Sequence, residues 1–511
     1  MIKNVIEYLI CTSAKYPNKV ALSDSKGNMT FKELDDMAKK IAMEIVKRTG
    51  GKVNNPIAVM MSKNKECIAA FMGVVYSGNY YCPIDLSMPQ ARVDIIMEQL
   101  APILIISEDN FIYDNSVAYN SCLNNEIDEF VIKQQIGKVI NVDPIYVLFT
   151  SGSTGIPKGV VVTHAGVIDY IEWLEEKFNF NENTVFGNQA PLYFDNSILD
   201  IYSCLKNGAT VCFIEKKMFA FPHQLLSYMN EKQINTIFWV PSALIGVADS
   251  GALRTEIALP NLDNILFCGE VMPTKQLRKW MTAFPTARFV NMYGPTEITD
   301  VCTYFIVDRL YGDDELLPIG KACENTDVLI INEEQKQANT NEIGEIIVRG
   351  IGVSKGYYKN EEKSNLSFVQ NPLQNNYIDI VYKTGDIGKV DENGNIIYIG
   401  RKDNQIKYQG HRIELGEIES CAISFDGIKR ACAVFLEKKN KIVLYVTIHE
   451  HTVFNKIEIY KYMKTKIPKY MLPTEIEILE AMPLNANGKI DRAKLKEDAD
   501  GANNIRNNTE N

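Results

Sequence analysis

Three features are missing from this 511-residue sequence, and each absence excludes a class of function. No apolar run approaches the roughly 18 residues that a membrane-spanning helix needs. No basic stretch is present, and 54 Lys and Arg against 64 Asp and Glu give a net charge of −10, which argues against a nucleic-acid partner. The eleven cysteines include no Cys-x-x-Cys pair, so neither a zinc site nor a disulfide framework is expected.

The cysteine pattern and the N-terminal residues together predict a location. Several cysteines, such as Cys212 and Cys432, stand in apolar runs, which is typical of buried free thiols. Glu7 interrupts the short apolar stretch near the N-terminus, so a secretory signal is not expected. We therefore expect a cytoplasmic protein that binds neither membrane nor nucleic acid.

The order of hydrophobic patterns along the chain predicts the fold class. A chain of this length is expected to form more than one domain. Helical spacing over residues 31–43 alternates with strand-like runs at 56–61, 210–214, 236–240 and 264–268. This alternation predicts an α/β fold with mostly parallel sheets flanked by helices. A β-rich subdomain is expected where short apolar runs follow one another from residue 327 to 400.

The pattern changes after residue 402, which predicts a domain boundary there. Residues 403–497 contain two helical and two strand-like stretches, so we expect a small α+β domain after a large domain at 1–402. Residues 498–511 are rich in asparagine and have almost no apolar side chains. Such a composition predicts a disordered tail.

A loop at 148–159, Leu-Phe-Thr-Ser-Gly-Ser-Thr-Gly-Ile-Pro-Lys-Gly, is the strongest local signal of function. It follows an apolar run at 145–149 that reads as a buried strand. Glycines let the backbone approach an anion, while hydroxyl and N–H groups donate to phosphate oxygens and a lysine adds positive charge. Loops of Gly, Ser and Thr also form ordinary turns, but a turn seldom needs this many hydroxyls with a lysine. We therefore interpret it as a nucleotide-phosphate loop.

The same loop does not match the Walker A motif of the P-loop NTPases. That motif requires Gly-Lys-Ser/Thr after four free positions. Here Pro157 precedes Lys158 and Gly159 follows it, so the usual Ser or Thr magnesium ligand is missing. A metal ligand is expected elsewhere in the chain.

Four further motifs follow the loop in a fixed order. They are Asn-Met-Tyr-Gly-Pro-Thr-Glu at 291–297, Tyr-Lys-Thr-Gly-Asp at 382–386, a Gly-Arg-Lys-Asp stretch from 400 to 414, and Pro-Leu-Asn-Ala-Asn-Gly-Lys-Ile-Asp-Arg at 483–492. With them, residues 15–495 resemble the adenylate-forming superfamily of acyl-CoA synthetases, luciferases and nonribosomal-peptide adenylation domains. The resemblance is greatest to amino-acid-activating members, the nonribosomal adenylation domains and the stand-alone D-alanine–carrier-protein ligases.

The resemblance implies an ATP and magnesium site. In this family the Ser/Thr/Gly loop holds the β- and γ-phosphates, Tyr293 and its neighbours border the adenine, and Glu297 helps to bind Mg²⁺. Asp386 would accept hydrogen bonds from both ribose hydroxyls, which suits a carboxylate that only accepts. The residues expected to bind ATP or AMP are Thr150, Ser151, Gly152, Ser153, Thr154, Gly155, Lys158, Asn291, Tyr293, Gly294, Thr296, Asp386, Arg401 and Lys489.

The resemblance also implies the catalytic residues and a mobile small domain. Lys489 and Glu297 are the expected catalytic residues. A preorganised cation at Lys489 would lower the barrier when a carboxylate attacks the α-phosphate and negative charge builds on phosphorus. Asp403 matches the hinge position, where the small domain would rotate to replace the lysine with the loop at 405–416 for thioester formation.

The segment Pro-Leu-Tyr-Phe-Asp-Asn-Ser at 191–197 indicates which acid is activated. Amino-acid-activating relatives place the aspartate of Phe-Asp-x-Ser, here Asp195, against the substrate α-ammonium. A carboxylate in a pocket needs a cation, although Asp195 could instead cap a following helix. Phe238 and Met292 are bulky and would shorten the pocket, which favours a small amino acid. The implied pocket residues are Asp195, Asn196, Leu199, Phe238, Leu266, Cys268, Met292, Asp300 and Val301.

Asp300 departs from the D-alanine ligases, which are apolar at this position. The carboxylate could receive a polar or cationic side chain, such as that of serine or a short diamino acid. Equally, it could point away from the pocket and bond to backbone. The sequence leaves both interpretations open.

The expected reaction is ATP-dependent formation of an aminoacyl-AMP with release of pyrophosphate. The aminoacyl group would then pass to the phosphopantetheine thiol of a separate carrier protein, because no carrier domain follows Arg492. D-Alanine is one expected substrate, and serine, diaminopropionate and β-alanine are alternatives. Asp195 disfavours an acyl- or aryl-CoA ligase, and the presence of Lys489, Asp386 and Glu297 disfavours a nucleotide-sensing protein without activity.

Overall fold

A computed structural model describes residues 2–108, 113–152, 155–254, 259–313, 315–403, 405–449, 455–484 and 490–506. The chain forms two compact units. The first unit takes residues 1–86, 100–149 and 159–402, and the second takes 87–99, 150–158 and 403 onward. The sequence predicted one division, after Lys402, whereas two earlier segments also group with the second unit. The functional extent of each domain stays a prediction.

Helices and strands alternate through the first unit, as the sequence predicted. Its strands, counting those that run into the second unit's segments, are β1 (Val20–Asp24), β2 (Gly27–Thr30), β3 (Pro56–Met60), β4 (Tyr80–Ile84), β5 (Leu104–Ser107), β6 (Ser116–Ala118), β7 (Pro144–Thr150), β8 (Lys158–Thr163), β9 (Val185–Asn188), β10 (Thr210–Phe213), β11 (Thr236–Trp239), β12 (Asn264–Cys268), β13 (Arg288–Tyr293), β14 (Thr303–Ile306), β15 (Lys321–Ala322), β16 (Thr326–Ile331), β17 (Gly344–Gly350), β18 (Phe368–Gln370), β19 (Ile380–Val390) and β20 (Ile396–Arg401).

The helices of the same stretch of chain flank these strands. They are α1 (Ile6–Lys15), α2 (Phe31–Thr49), α3 (Lys65–Tyr76), α4 (Gln90–Leu100), α5 (Tyr119–Cys122), α6 (Glu129–Gly137), α7 (His164–Phe178), α8 (Asn196–Asn207), α9 (Pro222–Glu231), α10 (Pro241–Asp249), α11 (Thr274–Ala283) and α12 (Glu361–Ser367). Of these, α4 belongs almost entirely to the second unit.

Two large sheets and one smaller sheet organise the first unit. Strands run in the order β15-β14-β13-β12-β11-β9-β10-β1-β2 in one and β6-β5-β3-β4-β7-β8 in the other. The central pairs β9–β10, β11–β12, β12–β13 and β3–β4 are parallel. Strands β16 to β20 form a separate antiparallel sheet. The predicted α/β fold with a β-rich subdomain is therefore confirmed.

The parallel arrangement of β9, β11, β12 and β13 determines where a site can form. Because these strands run in the same direction, their carboxyl ends lie along one edge of the sheet, where α/β proteins bind ligands. Three stretches that the sequence singled out leave or reach that edge, namely the segment at 191–197 after β9, Cys268 at the end of β12 and the motif at 291–297 at the end of β13.

The second unit contains an antiparallel pair extended by a parallel strand, a separate hairpin, and helices. Its strands are β21 (Gln405–Tyr408), β22 (His411–Glu414), β23 (Ile428–Leu436), β24 (Lys441–Ile448) and β25 (Glu475–Ile478), and its further helices are α13 (Leu415–Ile423), α14 (Lys456–Lys464) and α15 (Arg492–Arg506). Apolar side chains of α13, α14 and the β23–β24 pair form its core. The predicted small α+β domain is confirmed.

The structure corrects part of the predicted disordered tail. Residues 498–506 continue helix α15, and residues 507–511 lie outside the described residues. The helix is anchored at its first turn, because Asp491 Oδ1 accepts from the Lys494 N–H at 3.0 Å and Leu495 is buried against Cys432 and Val434. A polar segment can therefore be ordered where the residues before it hold it in place.

Within the part of the chain that the structure describes, no helix is both long and apolar enough to cross a membrane.

Candidate active site

The motifs at 382–386 and 400–414 meet because β19 and β20 pair in antiparallel register. This register sets Asp386 opposite Arg401. Arg401 Nη1 donates to Asp386 Oδ1 at 2.7 Å and to the Thr384 carbonyl at 3.1 Å. The Tyr293 hydroxyl donates to Asp386 Oδ2 at 2.5 Å, and Asp386 is only 1% exposed. The structure thus brings together three of the residues expected at the nucleoside.

The motif at 291–297 turns sharply after β13. A Cβ at Gly294 would lie 2.2 Å from the Asp300 carbonyl oxygen, so only glycine allows this close approach. Asn291 Nδ2 donates to the Pro318 carbonyl at 2.7 Å and fixes the end of the strand. Thr296 follows in a short 3₁₀ helix and is buried.

Glu297, the expected metal ligand, is fully buried in the first unit. One of its carboxylate oxygens accepts from the Tyr357 hydroxyl at 2.8 Å. Among the described residues, no group of three or more His, Cys, Asp or Glu could hold a metal ion by itself. A single carboxylate nevertheless suits Mg²⁺, which proteins commonly bind through one or two carboxylates together with substrate phosphates.

The apolar residues of the expected substrate pocket belong to one buried cluster of the first unit. Strand register brings neighbouring members side by side, with Phe238 opposite Leu266 and Cys268 opposite Met292. The members in this cluster are Leu199, Phe238, Leu266, Cys268, Met292 and Val301.

Two polar members of the expected pocket lie at the start of α8. Asp195 is the N-cap residue, and its Oδ1 accepts from the Asn196 N–H at 3.0 Å. The helix-cap interpretation is therefore correct as far as this contact goes, and it does not exclude ammonium binding by the same carboxylate. Both side chains are buried, at 7% and 9% exposure.

Asp300 lies inside the protein rather than at its surface. Its side chain is 1% exposed, and Oδ2 accepts from the Tyr170 hydroxyl at 2.8 Å. Burial raises the pKa of this carboxyl well above its ordinary value, and the negative charge of Asp195 raises it further. The two carboxyls therefore interact electrostatically. The partner that holds Asp300 is a side-chain hydroxyl, not the backbone group that one interpretation expected.

The sequence missed three polar residues around this pocket. Tyr170 binds Asp300, and Tyr146 is fully buried in β7. Lys63 Nζ donates to the Asn188 and Gln189 carbonyls at 3.1 and 3.0 Å, and burial lowers the pKa of Lys63 to about 7. None of the three belongs to a recognisable motif, so the sequence carries no signal for them.

The phosphate loop belongs to the second unit. Gly155 has a φ of 78°, and a Cβ at Gly152 would lie 2.0 Å from the Ile156 carbonyl oxygen, so both glycines are required by the backbone. Ser151 Oγ donates to the Arg412 carbonyl at 2.7 Å. Thr150 ends β7 and Lys158 begins β8. Ser153 and Thr154 lie outside the described residues.

An acidic side chain already binds a backbone donor of this loop. The Gly152 N–H donates to the Glu417 carboxylate, which also forms a buried ion pair with Arg92. Burial raises the pKa of Glu417 to about 7, against the opposing effects of Arg92 and of the Gly152 hydrogen bond. The loop N–H is therefore oriented to bind an anionic oxygen.

The remaining expected residues concern the hinge and the catalytic lysine. Asp403 Oδ1 accepts from the Gln405 N–H at 3.1 Å, at the start of the β21–β22 hairpin. Within that hairpin, the Gln405 side chain binds both Glu414 and Arg412 at 2.6 Å. Lys489 lies outside the described residues.

Comparison with known proteins decides what these motifs belong to. Residues 11–358 match the AMP-binding enzyme family, and residues 417–489 match the AMP-binding enzyme C-terminal domain. The chain belongs to the AMP-binding enzyme family. As an AMP-binding enzyme it uses ATP.

Curated relatives of this AMP-binding enzyme span nearly its whole length. The D-alanine–D-alanyl carrier protein ligase of Bacillus cytotoxicus is 33% identical over 509 residues, covering 96% of this chain and 98% of the relative. The ligase of the same name from Bacillus cereus is 32% identical, with the same coverage of each chain.

Solved structures share the fold of this AMP-binding enzyme at lower identity. The Vibrio cholerae adenylation domain AlmE, solved with glycyl-adenosine-5′-phosphate, has a TM-score of 0.83 at 21% identity, covering 98% of each chain. An NRPS protein containing adenylation and PCP domains has a TM-score of 0.82 at 24% identity, covering 96% of this chain and 84% of the other.

Proposed function

We propose that this enzyme activates a small amino acid with ATP and passes it to a separate carrier protein. A substrate carboxylate oxygen attacks the α-phosphorus, the bond to pyrophosphate breaks, and an aminoacyl-AMP forms. The phosphopantetheine thiol then attacks the carbonyl carbon and AMP leaves. The observation that carries this proposal is the buried carboxylate of Asp195 beside a cluster of pocket residues, since a buried carboxylate favours a cationic α-ammonium.

The nucleotide is proposed to bind to residues of the motifs described above. Asp386 receives the ribose hydroxyls, held in place by Arg401 and Tyr293. The phosphate loop binds the β- and γ-phosphates through backbone N–H groups, of which that of Gly152 already holds a carboxylate. Lys489 is the proposed catalytic cation, which stabilises charge that builds on phosphorus.

Glu297 is proposed to hold Mg²⁺ together with the ATP phosphates. Its buried carboxylate and the lack of a three-ligand cluster among the described residues suit an ion whose other ligands come from the nucleotide. The ion, when bound, neutralises phosphate charge. Tyr357 orients the carboxylate by donating its hydroxyl proton at 2.8 Å.

The substrate is proposed to be small because bulky side chains fill the pocket. Phe238 and Met292 are buried in the same cluster as Cys268. D-Alanine, which the names of the relatives specify for those proteins, is the reference substrate. Serine, diaminopropionate and β-alanine form a second group of candidates, which Asp300 favours because a buried carboxylate suits a polar partner.

Two further features belong to the same proposal. Asp403 is the proposed hinge that lets the small domain serve the adenylation and thioester steps in turn. The enzyme is proposed to work in the cytoplasm, which fits eleven cysteines that are all free, ten of them buried.

An ATP–pyrophosphate exchange screen tests this function. The acids to compare are D- and L-amino acids, β-alanine, fatty acids and aryl acids. Exchange should depend on a small amino acid and should fall at least about a hundredfold in Asp195→Asn, because an ammonium then loses its charge partner. The exposed change Glu392→Gln is the matched control and should leave exchange intact. Exchange with fatty or aryl acids alone would contradict the proposal.

A further inference from the structure

A lysine that follows a strand of one large sheet binds the backbone of the other large sheet. Lys63 lies in the loop between β3 and α3, and β3 belongs to the six-stranded sheet. Its Nζ donates to the Asn188 carbonyl at 3.1 Å and to the Gln189 carbonyl at 3.0 Å. Asn188 is the last residue of β9, a strand of the nine-stranded sheet. The contact therefore joins the two sheets where the chain leaves β9 and continues to Asp195.

The chain between this contact and Asp195 is short and tightly turned. Only residues 190–194 separate Gln189 from Asp195. Within them, the Phe194 N–H donates to the Pro191 carbonyl at 3.1 Å. A hydrogen-bonded turn leaves the backbone little freedom, so a displacement at Gln189 would be passed on to Asp195.

A second connection runs from the same point to the helix that Asp195 caps. Asp200 is fully buried in α8, and its Oδ2 accepts from Asn188 Nδ2 at 2.8 Å. The positive charge of Lys63 favours the ionised form of Asp200. Lys63 therefore supports Asp195 in two ways, through the backbone that precedes it and through the placement of α8.

Net stabilisation of the fold does not explain a lysine at this position. Burial disfavours the charge and lowers the pKa of Lys63 to about 7. One of its two acceptors, the Asn188 carbonyl, already accepts from the Ile214 N–H at 3.1 Å. Apolar groups of similar shape often replace buried polar contacts without loss of stability. The geometry that Lys63 imposes on the chain is the better explanation.

We propose that Lys63 is a positioning residue that holds Asp195 in the orientation that binds the substrate α-ammonium. It does so by fixing the Asn188 and Gln189 carbonyls, and it acts through Asp195 rather than by touching the substrate. This inference rests on the proposed amino-acid activation. It adds to that proposal a residue from the other large sheet on which recognition of the ammonium depends.

Two stable analogues of the acyl-adenylate measure the ammonium contact by itself. Alanyl-sulfamoyl-adenosine, made from each enantiomer of alanine, carries the ammonium, and propionyl-sulfamoyl-adenosine lacks it. The ratio of their dissociation constants is the ammonium preference. In Lys63→Met this preference should fall about ten- to a hundredfold, because a misplaced charge partner loses most of its effect. The affinity for the propionyl analogue and the KM for ATP should stay unchanged, whereas general damage to the fold would weaken both.

A second lysine of the first unit provides the matched control. Lys19 Nζ also donates to a backbone carbonyl, that of Gly208, which caps the other end of α8. Lys19→Met should therefore leave the ammonium preference intact. If methionine at position 63 prevents folding, Lys63→Gln serves as the second variant. Glutamine is as long as methionine and polar, but shorter than lysine, so the preference should fall in this variant as well.

A double-mutant cycle shows whether Lys63 acts through Asp195. Once Asp195→Asn has removed the charge partner of the ammonium, adding Lys63→Met should lower the preference no further. Independent actions of the two residues would instead give additive losses.

Three results would overturn the inference: an unchanged preference in a folded Lys63 variant, an equal loss in Lys19→Met, or additive losses in the cycle. Each of them leaves the proposed amino-acid activation standing. An unmodified enzyme that does not prefer the ammonium-bearing analogue would instead contradict the proposed function itself.

Discussion

Two buried carboxyls of the first unit, Asp386 and Asp300, have the same exposure and opposite surroundings. Both are 1% exposed. Asp386 forms an ion pair with Arg401 at 2.7 Å and accepts from the Tyr293 hydroxyl. Asp300 accepts from the Tyr170 hydroxyl, and burial raises its pKa well above the ordinary value. Among the described residues, Asp386 has a cationic partner, whereas the partner found for Asp300 is a neutral hydroxyl.

The two carboxyls therefore differ in how the fold compensates their charge. The ion pair with Arg401 orients the Asp386 carboxylate within the fold. A buried carboxyl without a cation is destabilising until a ligand compensates it. Asp386 has a cationic partner within the fold, Arg401, whereas the partner found for Asp300 is the Tyr170 hydroxyl.

Removal of the proposed catalytic cation should have the largest effect. Lys489→Ala should lower adenylate formation by about a hundred- to a thousandfold, the usual cost of losing one preorganised charge-stabilising group. Thioester transfer from a supplied aminoacyl-AMP should change little, because the lysine acts on phosphorus alone. Exchange kinetics and carrier loading measure the two steps separately. Equal damage to both steps would remove Lys489 from its assigned role.

Asp386→Asn should weaken both halves of the reaction and destabilise the fold. The change leaves the Arg401 guanidinium buried without its carboxylate, which typically costs about 3–5 kcal/mol. The melting temperature should fall and the KM for ATP should rise. The exposed change Glu392→Gln, in the turn between β19 and β20, is the control. A variant with normal melting and normal KM would show that the ion pair is not what organises the nucleotide side.

Gly152→Ala should damage the phosphate loop without a general loss of stability. The added Cβ would lie 2.0 Å from the Ile156 carbonyl oxygen, so the loop must change shape. We expect a KM for ATP at least about tenfold higher. Gly137→Ala is the matched control, because a Cβ at Gly137 meets nothing within 4 Å and alanine favours its helix. An unchanged KM for Gly152→Ala would argue against phosphate binding by this loop.

Asp300→Asn should change the stability of the fold least. It should stabilise the protein, whereas Asp386→Asn should destabilise it. The pKa of Asp300 is raised on folding, so between about 3.9 and the raised value the unfolded chain binds fewer protons. The free energy of unfolding of the unmodified protein therefore falls as the pH rises through this window. Asparagine does not titrate, so the variant does not lose this stability. Each unit by which folding raises the pKa corresponds to about 1.4 kcal/mol of unfolding free energy.

Melting temperatures measured from pH 8 down to pH 5 test this sign. Asp300→Asn should melt above the unmodified protein at neutral pH, and the gap should narrow as the solution becomes acidic. A variant that melts lower at every pH would mean that the Asp300 carboxylate is compensated inside the protein, and the contrast with Asp386 would disappear.

The sequence predicted those parts of the fold and site that are local in the chain. The helix expected at 31–43 is part of α2, and the strand expected at 264–268 is β12. Each of these depends on a continuous pattern or on residues within one short segment. Such patterns report local backbone geometry directly.

The remaining features depend on contacts between distant segments. Tyr170 and Asp300 lie 130 residues apart in the chain, and each stands alone in its own stretch. Tyr146 reads as one more core residue of a buried strand, and only the folded structure shows that its buried hydroxyl has no hydrogen-bond partner among the described residues. The helix at 492–506 depends on the burial of Leu495, which composition cannot reveal.

Direct detection of the adenylate tests the central claim most simply. The unmodified enzyme would be incubated with ATP, Mg²⁺ and an equimolar mixture of small amino acids, fatty acids and aryl acids, and the acid-quenched products identified by mass spectrometry. The account predicts the adenylate of a small amino acid, absent from the same reaction with Asp195→Asn. An acyl- or aryl-adenylate in place of an aminoacyl-adenylate would contradict it.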